Sequence, residues 1–568
     1  MRPSARYFSE AGHRTNRYST LGGDERVAAR SIAFEVVETL RDLGVRHVFG
    51  VPSGGWVDYM EALRLTDGID FVLTSHEGGA SFMADVCGRL TGVPGVCFGT
   101  FGPGATNLAT GVGGALLDRS PMIALTDEMP ESMRERTTQM GIDHQALFAP
   151  ITKKTTRLEP DCARAILTDA AAVALEQRPG PVHVGLPTGM SALPRHDDSA
   201  AEPVRVMPVA PDPRQLEALA AAFRAAQKPV LAIGLGAVRL GISERIAAFA
   251  ERFGVPVLLT PMAKGLLSED HRCYAGVLFH ALSDIVSRTH AEADLVVAIG
   301  YDPVEFNYES WMRDGLPLAS MDTAPADIDR ARHPLVADAV GDIVAGLEAL
   351  EAVKAPPKAW RLDDVAARKA DMFRRMRPRQ GRMGPCAALE VLREVLPQDG
   401  IMTCDVGAHT HLIGQKWQTP AAGLQIMTNG WSAMGFGLPA AIAAKLCCPD
   451  KPVCAVVGDG GFLMTVGELA TAVREKLPIV ILVLTDNDLA LIRIKQERKQ
   501  NPIYGTPVRA QGTIGGPSLF GVPVVTVDNP DALRTALGEA FAADGPRIVE
   551  ALIDSREYDD LVLHKDKA

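Results

Sequence analysis

Residues 456–496 read VVGDGGFLMTVGELATAVREKLPIVILVLTDNDLALIRIKQ. An apolar run leads into a glycine turn around Asp459, a helical stretch follows, and a second apolar run ends at Asp486. Apolar runs joined by a helix are typical of parallel strands in an α/β sheet, whose carboxyl ends meet at one edge. The segment therefore predicts that the two carboxylates lie side by side at that edge.

Two neighbouring carboxylates suit a divalent metal ion, because Mg²⁺ prefers hard oxygen ligands and keeps coordination positions for phosphate oxygens. The glycines beside Asp459 let backbone N–H groups and the start of the following helix approach a diphosphate. The alternative is a glycine turn and an unrelated strand end. The full spacing and the flanking strands favour a site for a metal ion and a diphosphate.

The same alternation of helical and β-branched segments occurs in three blocks of the chain. A chain of 568 residues is too long for one core, and at roughly 150 residues per domain it suggests three or four units. We predict three doubly wound α/β domains with parallel sheets, at 27–198, 199–354 and 384–555, with a charged linker at 355–383. Residues 1–26 are expected to be a disordered extension, with a transit peptide as the less favoured interpretation, and 556–568 a C-terminal tail.

Composition argues against several classes of protein. The formal charge of -11 argues against a nucleic-acid surface, since neutralising phosphates needs a basic face. No apolar run of about 18 residues is present, so we expect neither a membrane span nor a secretory signal. Nine cysteines without a C-x-x-C pair indicate reduced thiols and a cytoplasmic protein. Small molecules are therefore the expected partners.

The segment quoted above resembles the G-D-G to N-N signature of thiamine diphosphate enzymes, including the 27-residue step from Asp459 to Asp486. The resemblance implies that Mg²⁺ is held by these two carboxylates and by the backbone carbonyl of Asp488. Most members carry Asn at the second position, and the Asp here is similar to that of the catabolic acetolactate synthases. The resemblance covers about residues 27–555, so we expect the thiamine diphosphate-binding fold, with a pyrimidine-binding, a central and a diphosphate-binding domain.

The segment TSHEGGA at 74–80 places Glu77 at the end of a strand and the start of a helix. Taken alone, this carboxylate is equally well explained as a favourable charge at a helix N-terminus. Within the resemblance, Glu77 matches the glutamate that protonates the pyrimidine N1′ of the cofactor, so that the imino tautomer removes the thiazolium C2 proton. That role needs a carboxyl in a dry pocket. In this family the glutamate of one subunit faces the metal site of another, which implies a homodimer or homotetramer.

Two further segments match the family at the cofactor. NGWSAMGFGLP at 429–439 resembles the stretch whose Met packs between the two cofactor rings, although an ordinary core Met is the alternative. DVGAH at 405–409 is similar to D-V-G-Q-H, with alanine in place of the glutamine, so that one side-chain contact is lost. The residues that the resemblance puts at the cofactor are Asn107, Gly407, Ala408, His409, Ser432, Met434, Gly460 and Gly461.

Substrate-facing candidates come from the first domain and from one later helix. TFGPGATN at 100–107 is close to the T-S-G-P-G-A-T-N of acetolactate synthases, with Phe101 in place of Ser, which changes the size and polarity of the pocket. Gln139 matches a family glutamine that hydrogen-bonds the substrate, in a segment also similar to benzaldehyde lyase. His144, five residues beyond, is expected to be a surface or core histidine. A helix is expected after the second metal ligand, with a pocket-facing side formed by Leu491, Ile492 and Lys495.

The central domain bears on a second cofactor. Anabolic acetolactate synthases bind FAD there, whereas IGYDPVEF at 299–306 resembles the G-Y-x-P-V-E-Y of the FAD-free catabolic enzymes. The glycines at 234 and 236 are only a weak dinucleotide signal, since a third glycine and a later acidic partner are lacking. We therefore expect thiamine diphosphate and Mg²⁺ as cofactors, without FAD.

The resemblance implies a carboligase that decarboxylates a 2-oxo acid such as pyruvate and joins the acyl unit to a second carbonyl compound. Two alternatives stay open. The first is a 2-oxo acid decarboxylase or aldehyde lyase on the same scaffold, and the second is a non-catalytic regulatory subunit. The second is disfavoured because Glu77, Asp459 and Asp486 occur together.

Overall fold

The computed structural model describes residues 31–196, 199–509 and 513–562. The expected N-terminal extension, and the last six residues of the expected C-terminal tail, lie outside these ranges. The described chain forms three separate sheets, each flanked by helices, which confirms the predicted class of three parallel-dominated α/β domains. Each described helix is too short or too polar to cross a membrane.

The first domain contains a six-stranded parallel sheet. Its strands are β1 (His47–Gly50), β2 (Asp70–Leu73), β3 (Gly95–Gly99), β4 (Met122–Glu128), β5 (Lys154–Arg157) and β6 (Pro181–Pro187), in the order β2-β1-β3-β4-β6-β5. The helices are Ile32–Asp42, Val57–Leu65, Glu77–Thr91, Pro103–Leu117, His144–Phe148 and Ala163–Leu175.

The second domain contains another six-stranded parallel sheet. Its strands are β7 (Pro229–Ile233), β8 (Val257–Leu259), β9 (Tyr274–Val277), β10 (Leu295–Ile299), β11 (Leu318–Asp322) and β12 (Leu335–Val340), in the order β12-β11-β10-β7-β8-β9. The helices are Pro213–Ala225, Ser243–Phe253, Ser283–Ala291 and Ile343–Glu351. Helix Leu362–Arg375 occupies the expected linker, and its Val365 and Met372 are buried.

The third domain contains a seven-stranded sheet that carries the quoted segment. Its strands are β13 (Ile401–Cys404), β14 (Gln425–Met427), β15 (Val453–Gly458), β16 (Ile479–Thr485), β17 (Ser518–Leu519), β18 (Val522–Val527) and β19 (Arg547–Leu552), in the order β14-β13-β15-β16-β19-β18-β17. The β17–β18 pair is antiparallel and the other described pairs are parallel. The helices are Pro385–Val395, Ala408–Lys416, Gly437–Cys447, Asp459–Thr465, Leu469–Arg474, Ala490–Arg498 and Pro530–Phe541.

The first and third domains share a hydrophobic core. Because parallel sheets are covered on both faces, their central strands are mostly apolar, and every residue of β16 is buried. Helix Glu77–Thr91 packs against helix Gly437–Cys447, where the rings of Phe82 and Phe436 meet edge to face at 5.6 Å. This contact fixes the helix that begins at Glu77 against the third domain.

A buried guanidinium reinforces the same interface. Arg89 lies 2.6 Å from Asp85 and 2.8 Å from Asp118, and it also donates to the carbonyl of Met427 at 2.6 Å. Asp118 in turn accepts the N–H of Gly430 at 2.8 Å. Breaking one partner of a buried network leaves an uncompensated charge, so these bonds hold the loop that begins at 428 firmly against the first domain.

Candidate active site

The carboxyl edge of the third sheet carries two neighbouring aspartates. β15 and β16 pair in parallel, so Asp459 and Asp486, which directly follow them, lie at the same edge. Asp459 accepts the N–H groups of Gly460 and Asn487, both at 2.9 Å. Asn487 adopts a φ of 57°, a left-handed conformation that Asn tolerates.

Electrostatics at this edge favour a cation. Burial raises the pKa of Asp459, and burial together with the charge of Asp459 raises the pKa of Asp486 to about 7. Neighbouring buried carboxylates repel one another, and each is hard to ionise until a positive charge compensates both. The pair therefore fits a divalent metal ion with oxygen ligands.

Asp488 stands at the third predicted ligand position. Its carboxylate accepts a hydrogen bond from Arg493 Nε at 2.8 Å, and its N–H donates to Asp486 Oδ1 at 3.1 Å. Arg493 makes two further ion pairs that hold helix Ala490–Arg498 in place. Oδ1 of the same carboxylate has no hydrogen-bond partner within the described residues, and the resemblance implies that the ligand at this position is the backbone carbonyl of Asp488.

The DVGAH segment supplies a polar atom suited to a diphosphate. His409 is buried, and burial lowers its pKa to about 4, so the imidazole is neutral. Its Nε2 has no hydrogen-bond partner within the described residues. A Cβ on Gly407 would lie 2.8 Å from the ring and one on Gly458 would lie 3.3 Å from it, while Ala408 is buried at the helix start. An unpaired ring nitrogen between two glycines fits a phosphate oxygen.

Asp405 orders the loop that follows 428. Its carboxylate accepts the N–H groups of Val406 at 2.7 Å and Gly435 at 2.9 Å, although burial raises its pKa to about 7. A Cβ on Gly461 would overlap Asp405 Oδ2, so this position requires glycine. Gly461 therefore serves the packing of Asp405, and this carboxylate sets the position of the turn at 435.

Met434 lies next to Gly460, the glycine that follows Asp459. It is half-buried, and a Cβ on Gly460 would lie 3.5 Å from its Cε and 3.0 Å from Leu489 Cδ2. Ser432 has a φ of 52°, and its hydroxyl donates to the carbonyl of Asn429 at 2.6 Å. The Ser432 hydroxyl is therefore used within the loop, whereas the Met434 side chain borders the metal edge.

Glu77 is held from both sides of the domain interface. It is buried at the first position of its helix, and Asn107 Nδ2 donates to its Oε2 at 2.9 Å. Just before it, the N–H groups of Ser75 and His76 donate to Glu468 of the third domain at 3.2 and 3.1 Å. The first domain thus orients the carboxyl, while the third domain anchors its backbone.

The predicted substrate residues lie at accessible positions. Phe101 and Leu491 are half-buried, whereas Gln139, Ile492 and Lys495 are exposed. Burial and the charge of Lys495 lower the pKa of His411 to about 4, which puts the ammonium near a residue two positions beyond His409. Lys495 lies on the exposed side of helix Ala490–Arg498.

Four residues that shape the site received no functional role from the sequence. Asp405, Glu468 and His144 act through contacts with backbone N–H groups that are distant in sequence. Arg509, which is 50 positions from Asp459, lies 3.5 Å from its carboxylate. Of the four, Asp405 could have been found from the quoted DVGAH motif.

Three family models match this chain in series. The "Thiamine pyrophosphate enzyme, N-terminal TPP binding domain" matches residues 30–147, the central domain 216–350, and the C-terminal TPP binding domain 405–551. The chain belongs to the thiamine pyrophosphate enzyme family. Thiamine pyrophosphate is thiamine diphosphate, so the three sheets described above correspond to the three domains of this family.

Relatives within the family are similar over almost the whole chain. An acetolactate synthase of Bacillus subtilis is 30% identical over 534 residues, covering 91% of this chain and 92% of the relative. A catabolic acetolactate synthase of Raoultella terrigena is 30% identical, covering 92% and 95%. A probable 2-ketoarginine decarboxylase of Pseudomonas aeruginosa is 34% identical, covering 91% and 92%. This thiamine pyrophosphate enzyme is thus acetolactate synthase-like.

Proposed function

We propose that this enzyme decarboxylates a pyruvate-like 2-oxo acid and joins the acyl unit to a second carbonyl compound. The observation that carries the proposal is the Asp459 and Asp486 pair at one sheet edge, with the unpaired Nε2 of His409 on a ring that lies close to Gly458. Such a pair, beside a glycine turn, suits a Mg²⁺ ion bound to a diphosphate. The acetolactate synthase relatives support carboligation as the second step.

Each residue of the site has a distinct task. Asp459, Asp486 and the carbonyl of Asp488 would hold Mg²⁺, and His409 would donate to a diphosphate oxygen. Binding that anion raises the proton affinity of His409 and favours a proton on Nε2. When bound, thiamine diphosphate supplies an electron sink for the departing carboxylate.

Two side chains would act on the organic part of the cofactor. Met434, whose Cε would lie 3.5 Å from a Cβ on Gly460, would pack between the rings and impose their relative angle. Glu77 would share a proton with the pyrimidine N1′, and the amide of Asn107 keeps its carboxyl oriented for that exchange. The positions of Met434 and Glu77 support these two roles.

The mouth of the site favours an acidic substrate. Lys495 is an exposed ammonium, and Ile492 and Gln139 are exposed near the segments that face substrate in the family. An ammonium attracts the carboxylate of a 2-oxo acid and repels a cationic side chain. Pyruvate-like donors and oxo-acid acceptors therefore fit this mouth better than a guanidinium-bearing substrate.

A simple decarboxylase is the second candidate. The 34% identical relative carries the name probable 2-ketoarginine decarboxylase, and such an enzyme would protonate the acyl unit instead of adding it to a second carbonyl. The acetolactate synthase relatives favour ligation over this candidate. The two candidates share every residue assigned above to metal and cofactor.

We further propose that the enzyme uses no flavin and acts in the cytoplasm as at least a homodimer. Glu305 is buried, and its carboxylate accepts the N–H groups of Leu235 and Met262, both at 3.1 Å. The turn after β7, where a dinucleotide phosphate would bind, is therefore capped by the chain itself. A Cβ on Gly236 would lie 2.9 Å from the carbonyl of Gly300, which leaves little room there.

Product analysis tests the proposal. The enzyme is incubated with thiamine diphosphate, Mg²⁺ and either pyruvate or 2-oxo-5-guanidinovalerate, and CO₂ and organic products are quantified. We expect acetolactate from pyruvate. Acetaldehyde without acetolactate supports the decarboxylase instead, and turnover of the guanidino acid in preference to pyruvate contradicts the acidic mouth. No CO₂ from any 2-oxo acid of a wider panel contradicts both candidates.

A further inference from the structure

His144 lies beneath the loop that faces the substrate. It opens the short helix His144–Phe148, is only 3% exposed, and its Nε2 lies 3.1 Å from the backbone nitrogen of Gly102. A backbone N–H can only donate, so Nε2 must be the unprotonated nitrogen that accepts. The proton of the neutral ring is therefore on Nδ1.

This tautomer determines the direction of every following hydrogen bond. His144 Nδ1 donates to Thr126 Oγ1 at 3.0 Å, and the Thr126 hydroxyl then donates to His183 Nε2 at 2.8 Å. His183 Nδ1 donates to Thr155 Oγ1, and Thr155 donates to Gln145 Oε1, both at 2.7 Å. Since Gln145 directly follows His144, these hydrogen bonds start and end on one helical turn, and the backbone between the two residues closes them into a hydrogen-bond ring.

The ring joins that turn to three adjacent strands. Thr126, His183 and Thr155 lie on β4, β6 and β5, and the ring of Phe148 stacks on His183 at 4.2 Å. Burial lowers the pKa of His144 to about 4 and that of His183 well below its usual value, so both rings are neutral. Each of the four imidazole nitrogens of His144 and His183 has a hydrogen-bond partner. The two histidines therefore belong to the hydrogen-bond ring and leave no nitrogen free for a cation.

Gly102, whose backbone nitrogen contacts His144, has a backbone conformation and close neighbours that favour glycine. Gly102 has a φ of 49° and a ψ of -95°, and a Cβ there would lie 2.8 Å from the carbonyl of Met140. It directly precedes helix Pro103–Leu117, whose Asn107 donates to Glu77. The position of Gly102 thus sets the start of the helix that orients the Glu77 carboxyl, and its neighbour Met140 follows Gln139.

We infer that His144 is a positioning residue, which holds Gly102 through an acceptor nitrogen that the Thr126–His183–Thr155–Gln145 ring keeps unprotonated. Through Gly102 it fixes the Asn107–Glu77 contact on one side and the Gln139 segment on the other. The inference rests on the proposed role of Glu77 for its catalytic consequence. The ring itself, and its hold on Gly102, do not depend on which substrate the enzyme uses.

Amide hydrogen exchange of cofactor-free protein tests the hold on Gly102. His144→Phe keeps an aromatic side chain at position 144 and removes the nitrogen that accepts from Gly102. Exchange at the Gly102 amide should therefore become about three- to tenfold faster. His144→Gln should restore protection, because its side-chain carbonyl accepts from Gly102 while its amide donates to Thr126. Thr126→Val, which leaves His144 in place but no longer fixes its tautomer, should give an intermediate rate.

Thr152→Val is the matched control. Thr152 is a buried threonine of the same domain whose hydroxyl donates to the carbonyl of Phe148 at 2.8 Å, outside the ring. It should leave Gly102 exchange unchanged. Unchanged Gly102 exchange in both His144→Phe and Thr126→Val overturns the inference, whatever reaction the enzyme catalyses.

A second measurement tests the catalytic consequence without any substrate. In holoenzyme, deuterium exchange at C2 of bound thiamine diphosphate should slow about tenfold in His144→Phe and recover in His144→Gln, with cofactor affinity within about twofold of wild type. A change in cofactor affinity alone, or equal C2 exchange in all variants, overturns the positioning role. Acetolactate formation is not part of this test, so failure of the proposed reaction is separately visible.

Discussion

At the scale of single residues, the carboxylate pair at 459 and 486 invites a comparison of two substitutions. Asp459 also accepts two backbone N–H groups, whereas the family mostly places Asn at 486. We expect Asp459→Ala to weaken Mg²⁺-dependent binding of thiamine diphosphate by at least about 100-fold, because losing even an indirect metal contact costs 10- to 100-fold. Asp486→Asn should retain binding, since an amide oxygen is still a hard ligand.

Calorimetric titration of thiamine diphosphate, with and without Mg²⁺, measures both variants. A third variant, Asp528→Ala, removes an exposed aspartate of the same domain and should behave as wild type. Unaltered cofactor affinity in Asp459→Ala would remove this edge of the sheet from consideration as the metal site.

Glu77 provides the second prediction at this scale. Glu77→Gln keeps the size of the side chain and its position at the helix start, but it removes the carboxyl that shares a proton with N1′. Exchange of the C2 proton of bound cofactor should therefore slow by about 100- to 10,000-fold with no loss of the folded state. Glu61→Gln, at an exposed glutamate of the same domain, is the control. An exchange rate within a few-fold of wild type would leave Glu77 without its assigned role.

At the scale of elements, the two central strands of the third sheet were predictable because the evidence is local. Each consists of apolar residues that end at an aspartate, and parallel pairing fixes the rest. His144 was not predictable in this way, because its partner Gly102 lies 42 positions away and the contact appears only once β4 and β6 are adjacent. The same applies to Glu468, whose partners at 75 and 76 belong to another domain.

Helix Ala490–Arg498 was expected from the sequence, and its orientation needed the structure. Arg493 and Ile494 form the buried side, which turns Lys495 outward. The charge of Lys495 also contributes to the lowered pKa of His411. The helical periodicity of the sequence does not by itself show whether Lys495 borders a pocket or belongs to a fully solvated KQERK segment.

We predict that Lys495→Met weakens use of anionic acceptors more than neutral aldehydes. An exposed charge contact is worth up to about 1 kcal/mol, which corresponds to a roughly fivefold preferential loss in kcat/KM. The difference should shrink as salt rises, because solvent ions screen an exposed ammonium. Lys499→Met, at the exposed residue that follows the end of this helix, should affect both acceptors equally. An equal loss in Lys495→Met for both acceptor types would assign this lysine to the solvated face.

At the scale of the whole molecule, the central domain determines what the enzyme must bind besides thiamine diphosphate. Its Leu235 N–H is occupied by Glu305, so a dinucleotide would have to displace a buried carboxylate whose pKa burial raises to about 8. We expect purified enzyme to show no flavin absorbance, because bound oxidised isoalloxazine would colour the preparation yellow. Added FAD should not raise turnover. A yellow preparation with stoichiometric flavin would contradict the capped turn.

The arrangement of subunits bears on how the two halves of the site meet. Within one chain, Glu77 is bound to Asn107 and Asp459 to Asn487, so each half is ordered by its own domain. The family arrangement pairs Glu77 of one subunit with the metal edge of another. If this holds here, the functional unit is at least a homodimer with two composite sites, each taking one half from each chain.

Complementation between two inactive variants tests this arrangement. In a hybrid dimer of a Glu77→Gln chain and an Asp459→Ala chain, one site combines both defects and the other combines two intact halves. Hybrids isolated through two different affinity tags should therefore recover about half of the wild-type C2 exchange per dimer, although each parent has almost none. If both residues instead served a site within one chain, every site of the hybrid would carry one defect, and no activity would return. A hybrid as inactive as its parents would thus disprove the shared site, and the same preparation run through size-exclusion chromatography would show whether the dimer itself had formed.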